Sequence, residues 1–290
     1  MDNQEVLEKL LLKLVYCDGI GITNKWKILN FAQKYAEIPL NLDVIRKRIQ
    51  PTKNWGVFAE SWLQTTPEWL EEKLKDQKFI TYFSKEYPEN LRHIADPPLV
   101  LFYEGDLKLL DYSTLAVVGA RLATPYAYNV LYQLIPKLVA KKQVIVSGLA
   151  KGVDYYSHQL TIGFGGKTIG VVGCGLDLCY PKEVLPIFLE MKKNHLVLSE
   201  YPKNTAVKRH HFPMRNRIIA GLSQGTCVIE AKERSGSLIT AQLALEYGKE
   251  VFAIPGEIIS GQSNGCHRLI QDGAKCVFQW QDILEELPNY

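Results

Sequence analysis

Short apolar runs in the second part of the chain alternate strictly with segments of helical character. Apolar strands that alternate with helices pair in parallel, because each helix carries the chain back across a face of the sheet. Such crossovers are right-handed, so few topologies remain open. The pattern predicts an α/β fold with a doubly wound parallel sheet. The runs are Leu115 to Val118, Val144 to Ser147, Thr168 to Val172, Leu196 to Ser199, Thr226 to Glu230 and Glu250 to Ile254.

The first 78 residues differ, because their apolar residues recur at helical spacing and are interrupted at Asp18-Gly19-Ile20-Gly21. We predict a small all-helical domain over residues 1–78, SAM-like or helix-hairpin-helix-like, and a sheet domain over residues 79–290. A helix-hairpin-helix presents backbone N–H groups to phosphate, but a plain helical turn explains the same glycines. The block from Phe79 to Phe102 is interpreted as a transition between the two.

Composition narrows the class of protein. The chain of 290 residues is 47% hydrophobic and 22% charged, which is typical of a globular protein rather than a disordered one. Charged residues interrupt every apolar run before bilayer-spanning length, and the amino terminus has no basic leader, so we expect a cytoplasmic protein without membrane association. The six cysteines form no C-x-x-C pair, which argues against disulfides and zinc.

Net charge is unevenly divided. Residues 1–104 carry 14 Lys and Arg against 15 Asp and Glu, so the remainder of the chain has 20 against 16 and holds the whole positive surplus. No acid occurs between Tyr201 and Ile229, where five Lys and Arg residues lie. Such a cluster is suited to a polyanion, although a solvated basic face would have the same composition.

The segment from His210 to Ser223 predicts a helix that starts near Pro213 and places Arg215 and Arg217 in its opening turns. The helix dipole disfavours cations there, so the arginines indicate a nearby anion. The alternative is that they form internal ion pairs with Glu200 or Glu230.

Cations and glycines also follow the other predicted strands. In an open parallel sheet the carboxyl ends of the strands meet at one edge, where ligands bind. Glycine turns and helix starts at this edge offer free N–H groups to phosphate. The cations predicted there are Arg121, Lys151, Lys182, Arg215, Arg217, Lys232 and Arg234.

Catalytic motifs fail on inspection. Gly166-Lys167-Thr168 lacks the first glycine of a P-loop, and Gly173-x-Gly175 lacks the third glycine of a dinucleotide fingerprint. Gly261-x-Ser263-x-Gly265 has no acid followed by a histidine downstream, as a serine hydrolase requires. We therefore expect no catalytic residue, no metal and no cofactor.

Taken together, the motifs closely resemble the DprA/Smf family, the DNA-processing proteins that act as recombination mediators in natural transformation. The resemblance runs from about Phe79 to Asp282. It is carried by YPENLRHIADPPLVLFYEG, VVGAR, VSGLAKGVDYYSH, TIGVVGCGLDLCYP, LVLSEYP, HFPMRNRIIAGLS, EAKERSGSLITAQLALEYGKEVFAIPG and SNGCHRLIQDGA.

The resemblance implies an extended Rossmann domain that binds single-stranded DNA without sequence preference, forms homodimers and loads the RecA recombinase onto incoming DNA. It implies DNA contacts at Arg121 and Lys182 and a dimer interface on the helix Cys266 to Gln271, through His267 and Ile270. With the cations and helix starts at the sheet edge, the expected DNA-binding residues are Gly119, Arg121, Lys151, Lys182, Arg215, Asn216, Arg217, Gly236 and Ser237.

A rival class is an enzyme on the same scaffold, similar to the nucleoside-monophosphate phosphoribohydrolases of the lysine-decarboxylase-like family. Its support is Gly225-Thr226-x-x-Ile229-Glu230, which lacks the paired glycines that precede that signature. A small-nucleotide sensor is a third possibility.

Overall fold

The computed structural model of the chain describes residues 3–35, 40–49 and 52–287. Within these residues, the amino-terminal part folds as five helices, and side-chain caps fix the start of two of them. Asn41 accepts a hydrogen bond from the Val44 N–H, and Thr66 accepts one from the Trp69 N–H. The helices are α1 (Asn3–Tyr16), α2 (Ile22–Tyr35), α3 (Leu42–Arg48), α4 (Trp55–Gln64) and α5 (Pro67–Leu74).

The rest of the described chain forms one sheet with helices on both faces. Its strands are β1 (Phe79–Thr81), β2 (Val100–Gly105), β3 (Thr114–Val118), β4 (Val144–Ser147), β5 (Thr168–Val172), β6 (Leu196–Ser199), β7 (Gly225–Val228), β8 (Glu250–Ala253) and β9 (Lys275–Cys276). Its helices are α6 (Glu89–Arg92), α7 (Pro125–Ala140), α8 (Val153–Gly163), α9 (Leu185–Asn194), α10 (His211–Leu222), α11 (Gly236–Glu246), α12 (Asn264–Gln271) and α13 (Gln281–Leu284). Short 3₁₀ turns occupy Leu107–Asp111 and Lys182–Val184.

The strand order is β1-β2-β6-β5-β4-β3-β7-β8-β9. Seven neighbouring strands of this sheet pair in parallel, which confirms the predicted α/β fold. They are β6, β5, β4, β3, β7, β8 and β9. The chain moves from β3 to one side as far as β6, and then crosses to β7 on the other side of β3. The order therefore reverses between β3 and β7, which is the topological switch point where doubly wound sheets bind ligands.

One prediction about local structure needs correction. The block from Phe79 to Phe102 is not merely transitional, because β1 and β2 pair antiparallel with each other and β2 pairs antiparallel with β6. The sheet is therefore mixed. Helix α10 begins at His211, two residues before Pro213, which confirms the predicted helix. Pro213 is tolerated at the third position because the first four N–H groups of a helix have no intrahelical acceptor.

The helical part and the sheet share one apolar core. Leu11, Leu29 and Phe58 belong to the same buried cluster as Phe102 and Val197 of the sheet. Polar contacts add to it: the Trp26 indole donates to the Pro97 carbonyl at 2.9 Å, and the Gln77 side-chain oxygen accepts from the Lys203 N–H at 2.8 Å. Independent domains divided at residue 78 stay a prediction.

No helix within residues 3–35, 40–49 and 52–287 combines the length and apolarity needed to cross a membrane.

Candidate functional site

An open cleft of about 560 Å³ lies at the switch point, between the turn after β3 and the loop after β7. We call it the switch-point cleft. Predicted site residues line it from separate parts of the chain, so the fold brings together what the sequence distributes over more than a hundred positions. These residues are Gly119, Arg121, Arg215, Asn216, Gly236 and Ser237.

The turn after β3 is held by backbone contacts. Gly152 has φ +74°, and a Cβ there would lie 2.3 Å from the Ala120 carbonyl oxygen. The same carbonyl accepts from the Val153 N–H at 3.1 Å, and the Ala120 N–H donates to the Glu230 carbonyl at 2.7 Å. Because its backbone neighbours are fixed on both sides, Arg121 projects outward as an exposed side chain.

A second, smaller pocket of about 90 Å³ adjoins the cleft above the ends of β4 and β5. We call it the side pocket. Lys151, Tyr180 and Pro181 line it, and it shares Arg121, Ala150, Phe212 and Arg215 with the switch-point cleft.

Exposed cations border both depressions. Lys182 follows Pro181, and Lys151 pairs with Glu183 at 2.5 Å, where both side chains are exposed. Such exposed pairs contribute at most about 1 kcal/mol, so Lys151 can exchange Glu183 for a phosphate. We call the exposed cations of this edge the exposed rim: Arg121, Lys151, Lys182, Lys232 and Arg234.

Two aromatic rings stand between these cations. Phe212 lies 6.1 Å from Tyr180 between ring centroids, and the Arg121 guanidinium lies 5.2 Å from the Phe212 ring centroid. Tyr180 is exposed and Phe212 half-buried. Neither ring is among the residues predicted from the sequence, although aromatic residues interleaved with cations are typical of single-stranded nucleic-acid binding.

The start of α11 closes the cleft on the β7 side. Ser235 caps this helix by accepting from the Ser237 N–H at 3.3 Å, and Asn216 of α10 donates from its side-chain amide to the Gly236 carbonyl at 3.2 Å. The positive end of the helix dipole therefore faces the cleft, a position that favours an anion.

Arg215 forms the shared floor of the cleft and the side pocket. It is 6% exposed, and its Nη1 lies 3.7 Å from Asp154 Oδ2. Gly148 makes room for it, since a Cβ there would lie 1.3 Å from Nη1. Burial raises the pKa of Asp154 despite this arginine and lowers the pKa of Arg215. The Arg215 Nε has no hydrogen-bond partner among the described residues.

Arg217 is not brought to the site. It is 4% exposed and lines neither depression, because two residues along a helix lie about 200° apart around its axis. Its Nη2 contacts Glu200 Oε1 at 2.5 Å. The structure therefore has the internal ion pairs that the sequence left open as an alternative. Glu200 is the partner of Arg217, and Asp154 rather than Glu230 is the partner of Arg215. DNA contact by Arg217 stays a prediction.

Glu230 has a different partner. It is buried at the end of β7, and its two carboxylate oxygens accept from the Thr124 N–H at 3.0 Å and the Thr124 hydroxyl at 2.5 Å. Both oxygens therefore fix the first turn of α7. In the described part of the chain, no three His, Cys, Asp or Glu side chains cluster as metal ligands would.

The two residues predicted for a dimer interface lie on α12, which follows β8. The His267 Nε2 lies 3.0 Å from the Gly256 carbonyl oxygen within the same chain, and Ile270 is half-buried against the core. Exposed apolar side chains in the neighbouring sequence are Ile258, Ile259 and Phe278.

Comparison with known proteins decides the family. The family model described as DNA recombination-mediator protein A matches residues 78–288. The chain belongs to this family.

The whole chain is similar to members of the family in sequence and structure. It is 42% identical over 268 residues to the DNA processing protein DprA of Streptococcus pneumoniae, covering 92% of this chain and 94% of the relative. The corresponding protein of Bacillus subtilis is 48% identical over 211 residues, which cover 72% of this chain and 71% of the relative.

Two solved structures of family members resemble the fold. The X-ray structure of DprA from Streptococcus pneumoniae has a TM-score of 0.88 at 40% identity and covers 100% of this chain and 99% of its own. A structure of DNA processing protein A from Helicobacter pylori has a TM-score of 0.65 at 32% identity, covering 72% of this chain and 94% of its own. The latter concerns that protein's unique single-stranded DNA binding mode.

Proposed function

We propose that this protein binds single-stranded DNA along the exposed rim and acts as a non-catalytic recombination mediator. One observation carries the proposal: Arg121 and Lys151 line the side pocket together with the rings of Phe212 and Tyr180, and this pocket adjoins the switch-point cleft. The exposed Lys182 lies two residues after Tyr180. Cations that follow a phosphate backbone, with aromatic platforms between them, are what single strands require. Membership of a recombination-mediator family and the single-stranded DNA binding of the Helicobacter pylori relative support it.

Each group has a task in this arrangement. Arg121 and Lys182 pair with phosphates, and the start of α11, at Gly236 and Ser237, turns the positive end of its helix dipole toward the strand. Phe212 stacks on a base through its π-face, which every base offers, so the contact reads no sequence. Arg215 acts from below the surface, where its charge reinforces the field of the site.

The test is a titration of oligothymidylate at several salt concentrations. For single strands, the logarithm of the association constant falls with the logarithm of salt by about 0.7 for each phosphate contact. The Arg121→Glu, Lys182→Glu double variant is expected to lose about 100-fold in affinity at low salt and to show a shallower salt dependence.

A matched control reverses two charges at the opposite edge of the sheet. Lys108 precedes β3 and Lys193 precedes β6, and both are exposed. The Lys108→Glu, Lys193→Glu variant changes net charge equally but is expected to bind within about twofold of the parent. Salt-independent binding, or equal loss in both double variants, would overturn the proposal.

The non-catalytic part of the proposal has its own test. Glu230, the acid on which a phosphoribohydrolase reading depends, is occupied by Thr124. Incubation with nucleoside monophosphates is therefore expected to release no free base. Release of base would identify an enzyme, and competition by a mononucleotide at low concentration would identify a nucleotide sensor.

The mediator role requires a recombinase and a dimer, which we also propose. Family membership supports delivery of the bound strand to RecA. The expected result is faster RecA filament formation on strands coated by a single-strand binding protein, measured with and without this protein. A homodimer through His267 and Ile270 of α12 predicts twice the chain mass in light scattering, reduced to one chain mass by Ile270→Glu.

A further inference from the structure

Five aromatic side chains on α7 and α8 form a continuous series of ring contacts on the outside of the fold. Successive centroid distances are 5.7 Å from Tyr155 to Tyr156, 5.2 Å from Tyr156 to Tyr128, 6.4 Å from Tyr128 to Tyr132 and 5.6 Å from Tyr132 to Phe164. We call these five residues the aromatic ladder. Tyr128, Tyr132 and Phe164 are 36%, 54% and 39% exposed, so these three rings present surface to solvent. Tyr155 and Tyr156 are half-buried against the core and connect the exposed rings to the start of α8.

The aromatic ladder begins at the functional edge and leads away from it. Helix α8 starts directly after Gly152, and Tyr155 and Tyr156 lie in its opening turns, about one turn from Lys151 of the exposed rim. Phe164 caps the other end of the same helix. Since α8 has 11 residues, the ladder spans roughly 16 Å, from the carboxyl edge of the strands toward their amino edge.

Charge on this flank favours a polyanion. Between Tyr112 and Leu176 the chain has a single acidic residue, Asp154, and this carboxylate is buried against Arg215. The same stretch contributes exposed cations beyond Lys151. These are Lys137, Lys141, Lys142 and Lys167.

We propose that the aromatic ladder is a second segment of the single-stranded DNA path, on which bases stack after the strand leaves the exposed rim. The exposed rings of Tyr128, Tyr132 and Phe164 offer stacking surface to any base, and the exposed lysines of the same stretch neutralise phosphates. A contiguous exposed apolar patch marks an interaction surface, and its continuity with the exposed rim gives it the same ligand. The proposal rests on the proposed function, because the strand must first occupy the rim.

The test compares two lengths of oligothymidylate on the full chain. One of about six nucleotides is confined to the rim, and one of about 20 nucleotides also reaches the ladder. The Tyr132→Leu, Phe164→Leu variant keeps apolar bulk but removes two rings. We expect it to weaken the longer strand about tenfold and the shorter one by less than about twofold.

Three controls separate stacking from structure. Tyr132→Phe keeps the ring and is expected to bind both lengths like the parent. Tyr112→Leu removes an equally exposed tyrosine, 54%, outside the ladder, and is also expected to bind normally. Photocrosslinking of the unmodified protein to the longer strand carrying 5-iododeoxyuridine is expected to label peptides of α7 and α8, and it needs no variant to fold.

The outcomes distinguish the two proposals. Equal weakening of both lengths, no weakening of either, or crosslinks confined to other peptides would overturn the ladder while the rim stands. If the parent chain binds neither length in a salt-dependent manner, the proposed function and the ladder fail together.

Discussion

Two groups of cations at the same edge of the sheet have different environments. Arg121, Lys151 and Lys182 are exposed, and only Lys151 has an acid beside it in a described salt bridge. Arg215 and Arg217 are buried, and each faces a carboxylate, Asp154 and Glu200. The low-dielectric interior admits a charge only with a partner, whereas solvent supports an unpaired one. The exposed group is therefore available to a ligand and the buried group supports the architecture.

The buried His158 shows what happens to a titratable side chain that has no acidic partner. Its Nδ1 donates to the Thr168 hydroxyl oxygen at 2.7 Å, since that hydroxyl's own proton goes to the Ile145 carbonyl. Its Nε2 has no partner within the described residues. With no acid beside it, burial lowers the pKa of His158 to about 3. The interior thus keeps this third group neutral.

The largest effect is expected from breaking the better of the two buried pairs. Arg217→Met leaves the Glu200 carboxylate half-enclosed without its cation, which is expected to lower the free energy of unfolding by about 3–5 kcal/mol. Urea unfolding measures this change. In the Arg217→Met, Glu200→Gln double variant much of the loss is expected to return. A decrease in the free energy of unfolding below about 1 kcal/mol would show that Arg217, like the exposed cations, contributes little to stability.

The next largest effect is expected from lowering the pH, because buried histidines such as His158 reduce stability when they take up a proton. The unfolded chain protonates His158 near pH 6.5, but the folded chain does not until about pH 3, so stability is present above pH 6.5 and falls as the pH drops between these values. One such proton gives a slope of about 1.4 kcal/mol per pH unit. Burial lowers the pKa of His195 and His211 too, which adds to the slope. His158→Gln is expected to remove one proton's share of this slope.

Substitution of an exposed cation is expected to change DNA binding and to leave stability almost unchanged. Arg121→Gln removes a phosphate partner and is expected to weaken oligothymidylate binding by about tenfold, while the free energy of unfolding changes by less than about 0.5 kcal/mol. Binding titration and urea unfolding on the same sample make the comparison. A large loss of stability would show that Arg121 supports the fold.

The smallest effect is expected at Lys151. Glu183→Gln removes the exposed ion pair and a negative charge beside the exposed rim. Stability is expected to change by less than about 1 kcal/mol, and affinity for oligothymidylate to rise by about two- to threefold, because Lys151 no longer exchanges partners. Unchanged or reduced affinity would show that Lys151 does not contact the bound strand.

Much of the fold follows from local pattern. The strands from β3 to β8 are apolar runs, and their predicted bounds agree with the structure within about two residues. Strands β1 and β2 were missed because their antiparallel pairing depends on a partner distant in sequence, β6. Phe212 and Tyr180 could have been found from aromatic residues beside cations, but only the structure places their rings 6.1 Å apart.

By itself, the sequence determined the alternation of strands and helices and the positions of the cations at the strand ends, because both depend on neighbouring residues and on one rule of parallel sheets. Tertiary structure decided which cations meet solvent. Arg215 and Arg217 are two positions apart in one basic segment, yet each is buried against an acid from a different element. The energy of a charge depends on its solvation and on its partner, and packing of distant segments sets both.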